Sequence, residues 1–592
     1  MRVKNYFGSV VLGSIILWGS SVAEIQAQQS LFIAYPPQDH QTTASQIFLI
    51  GTGDPQQEVQ VNGTVIPRSP AGNFAPSFPL QMGENVFTIR SGNQEIQIKV
   101  TRISATPEPP QGVAFTPNSL TPARDIARLP GELVCFGAIA PNNANVTVSL
   151  GSLNLNLSPQ PPAVQLPPNN AVLTAQNQPT SLSNIGKYQG CTTFSTPRDF
   201  GTPRYQLSLN GETVTQESTG KVEILTPDSL EVIEVTANSG AARTGASTNH
   251  SRLTPLPKGT RAAVTGREGE WLRLDYGAWI KESETQIVPG AVPPQAIIRS
   301  VTSRQVPGAT EIIFPLTTPI PISFQQTDQV FTLNLHNTIA QTDTIRLDDN
   351  PLIKRLDWQV VAPTQAQYSF VMKTDQQWGY ELRYEGTSLV LSLRHPPNLS
   401  SQVSQPLEGV SILLDPGHGG NELGARGPNG YPEKDVNLVV SKLLQQELLN
   451  RGATVYMTRE TDVDVSLRAR MDMIAEVKPT LAFSIHYNAL PDSGDAINTA
   501  GVGMFWYHAQ SHDLAIFMQE YLVERLNRPD YGVFWNNLAL TRPHAAPTIL
   551  LELGFMINPV EFEWITNPAE QQKLASTLAD GIVAWLRSKE AE

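Results

Sequence analysis

Proline is spread unevenly along this chain. There are 47 prolines in 592 residues, and only ten lie beyond residue 409. Proline fixes φ and cannot donate to a hydrogen-bond ladder, so a Pro-rich front suits short strands and turns rather than long helices. The sparse back third is free to build helices. A chain of this length also exceeds what one core can bury, which predicts several domains.

The first 27 residues read as a secretion signal. Arg2 and Lys4 give the positive start, Phe7 to Trp18 the apolar stretch, and cleavage is expected after Ala23 or Ala27. The apolar part is too short for a membrane span, and no other stretch qualifies. The expected product is exported to the periplasm or cell wall. A net charge of -13 argues against nucleic acid and against steering onto an acidic membrane surface. Cys135 and Cys191 are a disulfide candidate in an exported chain, with two buried thiols an equal alternative.

Residues 31–104 alternate apolar and polar in short runs such as QIFLIGTG and EIQIKVTR, separated by turn residues. This spacing predicts a β-sandwich domain. A weak echo of it opens a second β-domain over 112–228. Residues 229–290 resemble a bacterial SH3-like domain through Arg243, the turn from Leu256 to Gly259, and Trp271 and Trp279. Residues 293–396 alternate again, in ATEIIFPL, QVFTLNLHN and TSLVLSLRHP, and resemble an AMIN domain. A polar linker is expected over 397–408.

Beyond 409 the texture changes. Buried-strand runs (VSILLD, LAFSIH, TILLELGFM) alternate with stretches of helical periodicity (DVNLVVSKLLQQELLNRG, SHDLAIFMQEYLVERLN). Such alternation predicts an α/β domain over 409–592 with a mostly parallel sheet flanked by helices. The fold class is thus multidomain: all-β in front, α/β behind.

One residue in that domain conflicts with its surroundings. Glu552 interrupts a run with the make-up of a strand buried on both faces, where an ionised carboxylate is costly. Active sites in open α/β sheets lie outside the carboxyl ends of the strands. His418, His486 and Glu552 fall at three such ends, and Glu433 stands just after Pro432 at the start of the first helix. Two histidines and one carboxylate are the ligand set of many catalytic zinc sites. A second carboxylate, left off the metal, can then move the proton that hydrolysis requires.

The motifs LLDPGHGG, EKDVNL, TRETDVDVSLRAR, SIHYNA and ILLELGFMINP occur in the order typical of zinc-dependent N-acetylmuramoyl-L-alanine amidases, the family-3 cell-wall amidases. The resemblance covers residues 409–592. It implies that His418, Glu433 and His486 hold Zn2+, that Glu552 is the catalytic carboxylate, and that peptidoglycan is the substrate. It also implies a place in wall remodelling or septum splitting. Asp415 is a candidate to orient a ligand histidine, with turn chemistry as an equal alternative. Asn488 is a candidate to bind substrate or brace His486. Arg459 and Asp462 are read as a structural ion pair, His508 and His512 as surface residues, and His544 as a minor candidate for the cleft.

Two other functions remain open at this stage: a zinc peptidase cutting within the stem peptide, and a non-catalytic wall-binding scaffold whose β-domains recruit septal partners. Some members of the family carry a helix after the S-I-H motif that plugs the cleft. Here the segment from Ala489 to Gly503, with its run ALPDSGDAINTAG, is short, polar and without an apolar stripe. It predicts an open cleft that needs no activator.

Overall fold

The computed structural model describes residues 30–105, 109–161, 163–167, 171, 178–182, 186–402 and 404–590. The secretion signal expected over 1–27 lies outside the described residues. Among the described residues no helix is long and apolar enough to cross a membrane.

The front of the chain is all strand. Residues 32–102 form three small sheets around a core that includes Ile47, Leu49, Val59, Phe74 and Ile89. A six-stranded antiparallel sheet follows, running from Leu133–Ile139 to Glu212–Glu217. Its neighbouring strands Leu133–Ile139 and Lys187–Thr193 are joined by a disulfide between Cys135 and Cys191. Position 228 is bridged by hydrogen bonds: Ile126–Arg128 pairs with Arg261–Glu268, so the regions on either side share one sheet. Residues 296–394 make a sandwich of a five-stranded and a four-stranded sheet, with Phe314, Phe331, Tyr368 and Phe370 between them.

The last third is a six-stranded sheet between helices. The strand order is Thr454–Met457, Ser411–Pro416, Leu481–Asn488, Thr548–Phe555, Val502–Trp506 and Asp530–Trp535. Four of the five neighbouring pairs are parallel; only Val502–Trp506 runs against Thr548–Phe555. Both faces are covered, which explains why the strands read as continuous apolar runs. Ile412 and Leu414 face the helices α1 (Glu433–Asn450), α3 (His512–Leu526) and α5 (Pro568–Ser588). Leu413, one residue out of phase, faces Ile474 of α2 (Leu467–Val477).

The caps follow from local chemistry. Ser466 accepts from the Ala469 amide at the start of α2. Asn558 and Asn567 cap α4 (Pro559–Ile565) and α5, each followed by a proline whose missing N–H costs nothing at that position.

The β-domains pack directly on the α/β domain. Trp378 joins its hydrophobic core, 5.6 Å from the Trp585 ring. Arg394 donates to the Pro479 and Ala545 carbonyls. In the connecting segment 397–408, Leu407 is fully buried in the same core.

Candidate metal centre

The strand Ser411–Pro416 ends in a glycine-rich turn that presents His418. This residue has a φ of 58°, left-handed backbone that a histidine rarely adopts unaided. Two buried arginines hold it there. Arg470 donates to the His418 carbonyl at 2.7 Å and to Pro416 at 2.8 Å. Arg459 donates to the Pro416 and Gly417 carbonyls, each at 2.9 Å. The turn must also be bare. A Cβ on Gly417 would lie 2.2 Å from the His486 ring, and one on Gly424 would lie 2.4 Å from the Glu433 carboxylate.

Pro432 closes the following loop in extended backbone and starts α1, so Glu433 projects from the first helical turn into the centre. Its carboxylate is 3% exposed. One oxygen accepts from the Ala425 amide at 2.8 Å and lies 3.1 Å from His418 Nε2. The other accepts from the Tyr487 amide and Asn437 Nδ2, both at 3.1 Å, and lies 3.0 Å from His486 Nδ1. Burial alone would raise the Glu433 pKa, but the two histidines outweigh it and hold the group well below the carboxylate range.

His486 lies two residues before the end of the strand Leu481–Asn488. One donor atom from each of His418, Glu433 and His486 lies within 4.8 Å of the others. The structure brings these three sequence candidates together.

Glu552 stands directly opposite His486 in the parallel register. Its Oε2 is buried with no hydrogen-bond partner among the described residues. Burial, and then the nearby Glu433 charge, push its pKa well above the ordinary value. A carboxylate with one buried, unpaired oxygen beside a His–Glu–His cluster fits a zinc site with a free acid–base group.

Asp415 and Asn488 do not touch the histidines. Asp415 is buried and accepts from Arg470 Nη1, Thr458 Oγ1 and Ser484 Oγ, each at 2.6 Å. It supports His418 only through Arg470. The Asn488 side chain accepts from the amide of Ala489 at 2.8 Å.

Several expectations are corrected by the packing. Arg459 is spent on backbone carbonyls, and Asp462 pairs with Lys434 at 2.5 Å instead. His508 sits under the sandwich domain against the Arg542 carbonyl, and His544 stacks on Tyr380 at 4.6 Å. His508 follows the antiparallel strand Val502–Trp506 and His544 precedes Thr548–Phe555, so both lie at the end of the sheet opposite the one toward which Glu552 and Phe555 run. His512 stacks on Trp506 at 4.1 Å.

Arg470 was not singled out from the sequence. The run SLRAR holds two arginines, and helical phase alone does not say that the second turns inward. Tyr531 was also missed; it packs at Phe555, its ring 4.9 Å away, and burial followed by the Glu552 charge raises its pKa.

Residues 412–584 match the family model Amidase_3, N-acetylmuramoyl-L-alanine amidase. The probable cell wall amidase LytH of Staphylococcus aureus is 35% identical over 185 residues, which are 31% of this chain and 60% of that protein. The chain thus spans less than two thirds of the length of the curated relatives it matches. A Clostridium difficile 630 N-acetylmuramoyl-L-alanine amidase structure is 30% identical, with 30% of this chain and 98% of that chain covered and a TM-score of 0.29. The amidase AmiC2 of Nostoc punctiforme is 27% identical, with 30% and 97% covered and a TM-score of 0.29. Residues 412–584 are an Amidase_3 domain.

Proposed function

We propose that this protein is an exported, zinc-dependent amidase of peptidoglycan. It hydrolyses the amide between the lactyl group of N-acetylmuramic acid and L-alanine and frees the stem peptide. The observation that carries this reading is the Glu552 carboxylate, whose buried Oε2 has no partner among the described residues, in register with His486 and beside His418 and Glu433.

His418, Glu433 and His486 would hold the metal. Zinc, when bound, supplies a Lewis acid for the scissile carbonyl and lowers the pKa of water. Glu433 is kept ionised by the two rings, as a ligand must be. Glu552 has the opposite task. Ionised at the start, it accepts a proton from the attacking water; burial and the Glu433 charge raise its proton affinity, so the proton is held until it passes to the alanine nitrogen. The C–N bond breaks, leaving a lactyl carboxylate and a free alanine amine. Asp415, Arg470 and Arg459 keep the His418 turn in place during this exchange.

Digestion of purified sacculi by the zinc-loaded protein tests the reading. A new N-terminal alanine amine on the released peptides is expected. A new amine elsewhere in the stem would mean a peptidase, and no release would leave a wall-binding scaffold. In either case the bond assignment falls.

A further inference from the structure

The N-terminal β-domain does not hang free of the amidase domain. Its run Gln46–Thr52 alternates cleanly. Ile47 and Leu49 fill its own core, while Phe48 and Ile50 point the other way. Outward apolar residues need a second cover, and here it is the amidase domain. Phe48, Ile50 and Ala75 form one buried cluster with Ala496, Phe555 and Ile557, and Tyr35, Leu490 and Tyr531 pack around it. Phe555 is three residues beyond Glu552 and pairs in register with Asn488.

Polar contacts frame this cluster. The Tyr35 hydroxyl donates to Asp492, and His40 Nε2 lies 2.9 Å from the other oxygen of that carboxylate. Gln46 Nε2 donates to the Ser493 carbonyl at 2.6 Å. Across the cleft, the Phe32 ring lies against Gly430 in the loop that leads into Glu433; a Cβ there would be 3.1 Å from it. One domain therefore touches both rim loops, the one before Glu433 and the one after His486.

The second loop needs such support. From Ala489 to Gly501 there is neither helix nor strand; Ala496 is buried and Leu490 half-buried, while Ile497 is exposed. A loop with so little core of its own is held by what packs on it.

We propose that the N-terminal β-domain is a positioning element of the amidase site: Tyr35, His40 and Gln46, with the Phe48–Ile50–Ala75 patch, hold the loop Ala489–Gly501 and the strand end at Phe555 in the shape that receives substrate. The inference rests on the amidase reading for its catalytic part only. The β-domain touches neither the three metal-site residues nor Glu552 through these contacts, so its effect falls on substrate binding.

The test uses the full-length, zinc-loaded protein and the double variant Gln46→Ala, Asp492→Ala. Both residues are only partly buried, so the chain keeps its cores. Hydrolysis of soluble peptidoglycan fragments should show KM raised about tenfold and kcat kept within about twofold, with zinc still stoichiometric. Amides of 489–501 should exchange with deuterium about tenfold faster. Asp492→Asn, which retains an acceptor for Tyr35, should recover part of the loss. A fall in apparent kcat at unchanged KM would mean mere loss of folded enzyme and would overturn the proposal, as would unchanged KM and exchange. If the wild-type protein frees no alanine amine, the amidase reading fails, and the exchange measurement still decides whether the domain holds the loop.

Discussion

His486 and Glu552 face each other across one step of a parallel ladder; His486 Nδ1 lies 3.0 Å from Glu433, while Glu552 Oε2 has no partner among the described residues. In the proposed mechanism the ligand and the proton carrier thus stand on adjacent strands. Replacing Glu552 by Gln keeps its shape and removes the proton transfer. Activity should fall on the order of a hundredfold or more, with zinc and melting temperature retained. Near-normal turnover on peptidoglycan would refute the role.

His418→Ala and His486→Ala should each lose metal together with activity, because a three-donor site cannot spare one. Metal analysis after dialysis reads this directly. Stoichiometric zinc in either variant would move the ligand set elsewhere.

The Arg470–Asp415 pair is almost fully buried, at 3% and 1% side-chain exposure, with a separation of 2.6 Å. Removing one partner leaves an uncompensated buried charge. Asp415→Ala should therefore cost roughly 3–5 kcal/mol in denaturant unfolding. It should also weaken zinc binding, since Arg470 holds the His418 carbonyl. An unchanged unfolding midpoint would show that the pair carries no such strain on the turn.

Acid should loosen the contact between the sandwich domain and the amidase domain. Burial, then the His544 charge, lower His508 to a pKa of about 3; burial lowers His544 to about 4. An unfolded histidine titrates near 6.5, so between pH 6.5 and about 4 the unfolded state binds more protons. Stability should fall as pH drops through that window, by up to about 1.4 kcal/mol per pH unit for each ring. Melting curves at pH 7 and pH 5 would check it; Phe replacements at 508 and 544 should flatten the difference.

The full-length, zinc-loaded protein should act on peptidoglycan without a second protein. No helix forms between Ala489 and Gly501, and the His418 and His486 side chains remain 20% and 16% exposed. A strict requirement for an added activator would contradict an open cleft.

Local patterning determined much of this protein. Proline density separated the all-β front from the α/β back. The period of apolar residues set helices and strands, and the misfit of Glu552 in a buried run pointed at the chemistry before any contact was known. Periodicity is a property of neighbours in sequence, so it places His418, Glu433, His486 and Glu552 at element ends. What it cannot carry is the identity of a residue's partner across space. That Asp415 serves Arg470 rather than a histidine, and that Arg459 serves backbone carbonyls rather than Asp462, depends on which long side chain reaches the turn first. The docking of the front domain had a trace in the sequence: the unbroken Ile47-Phe48-Leu49-Ile50 run implies cover on both faces of a strand. Which surface supplies that cover was decided only by the tertiary structure, because hydrophobic burial is non-directional and any apolar face of matching shape would satisfy it.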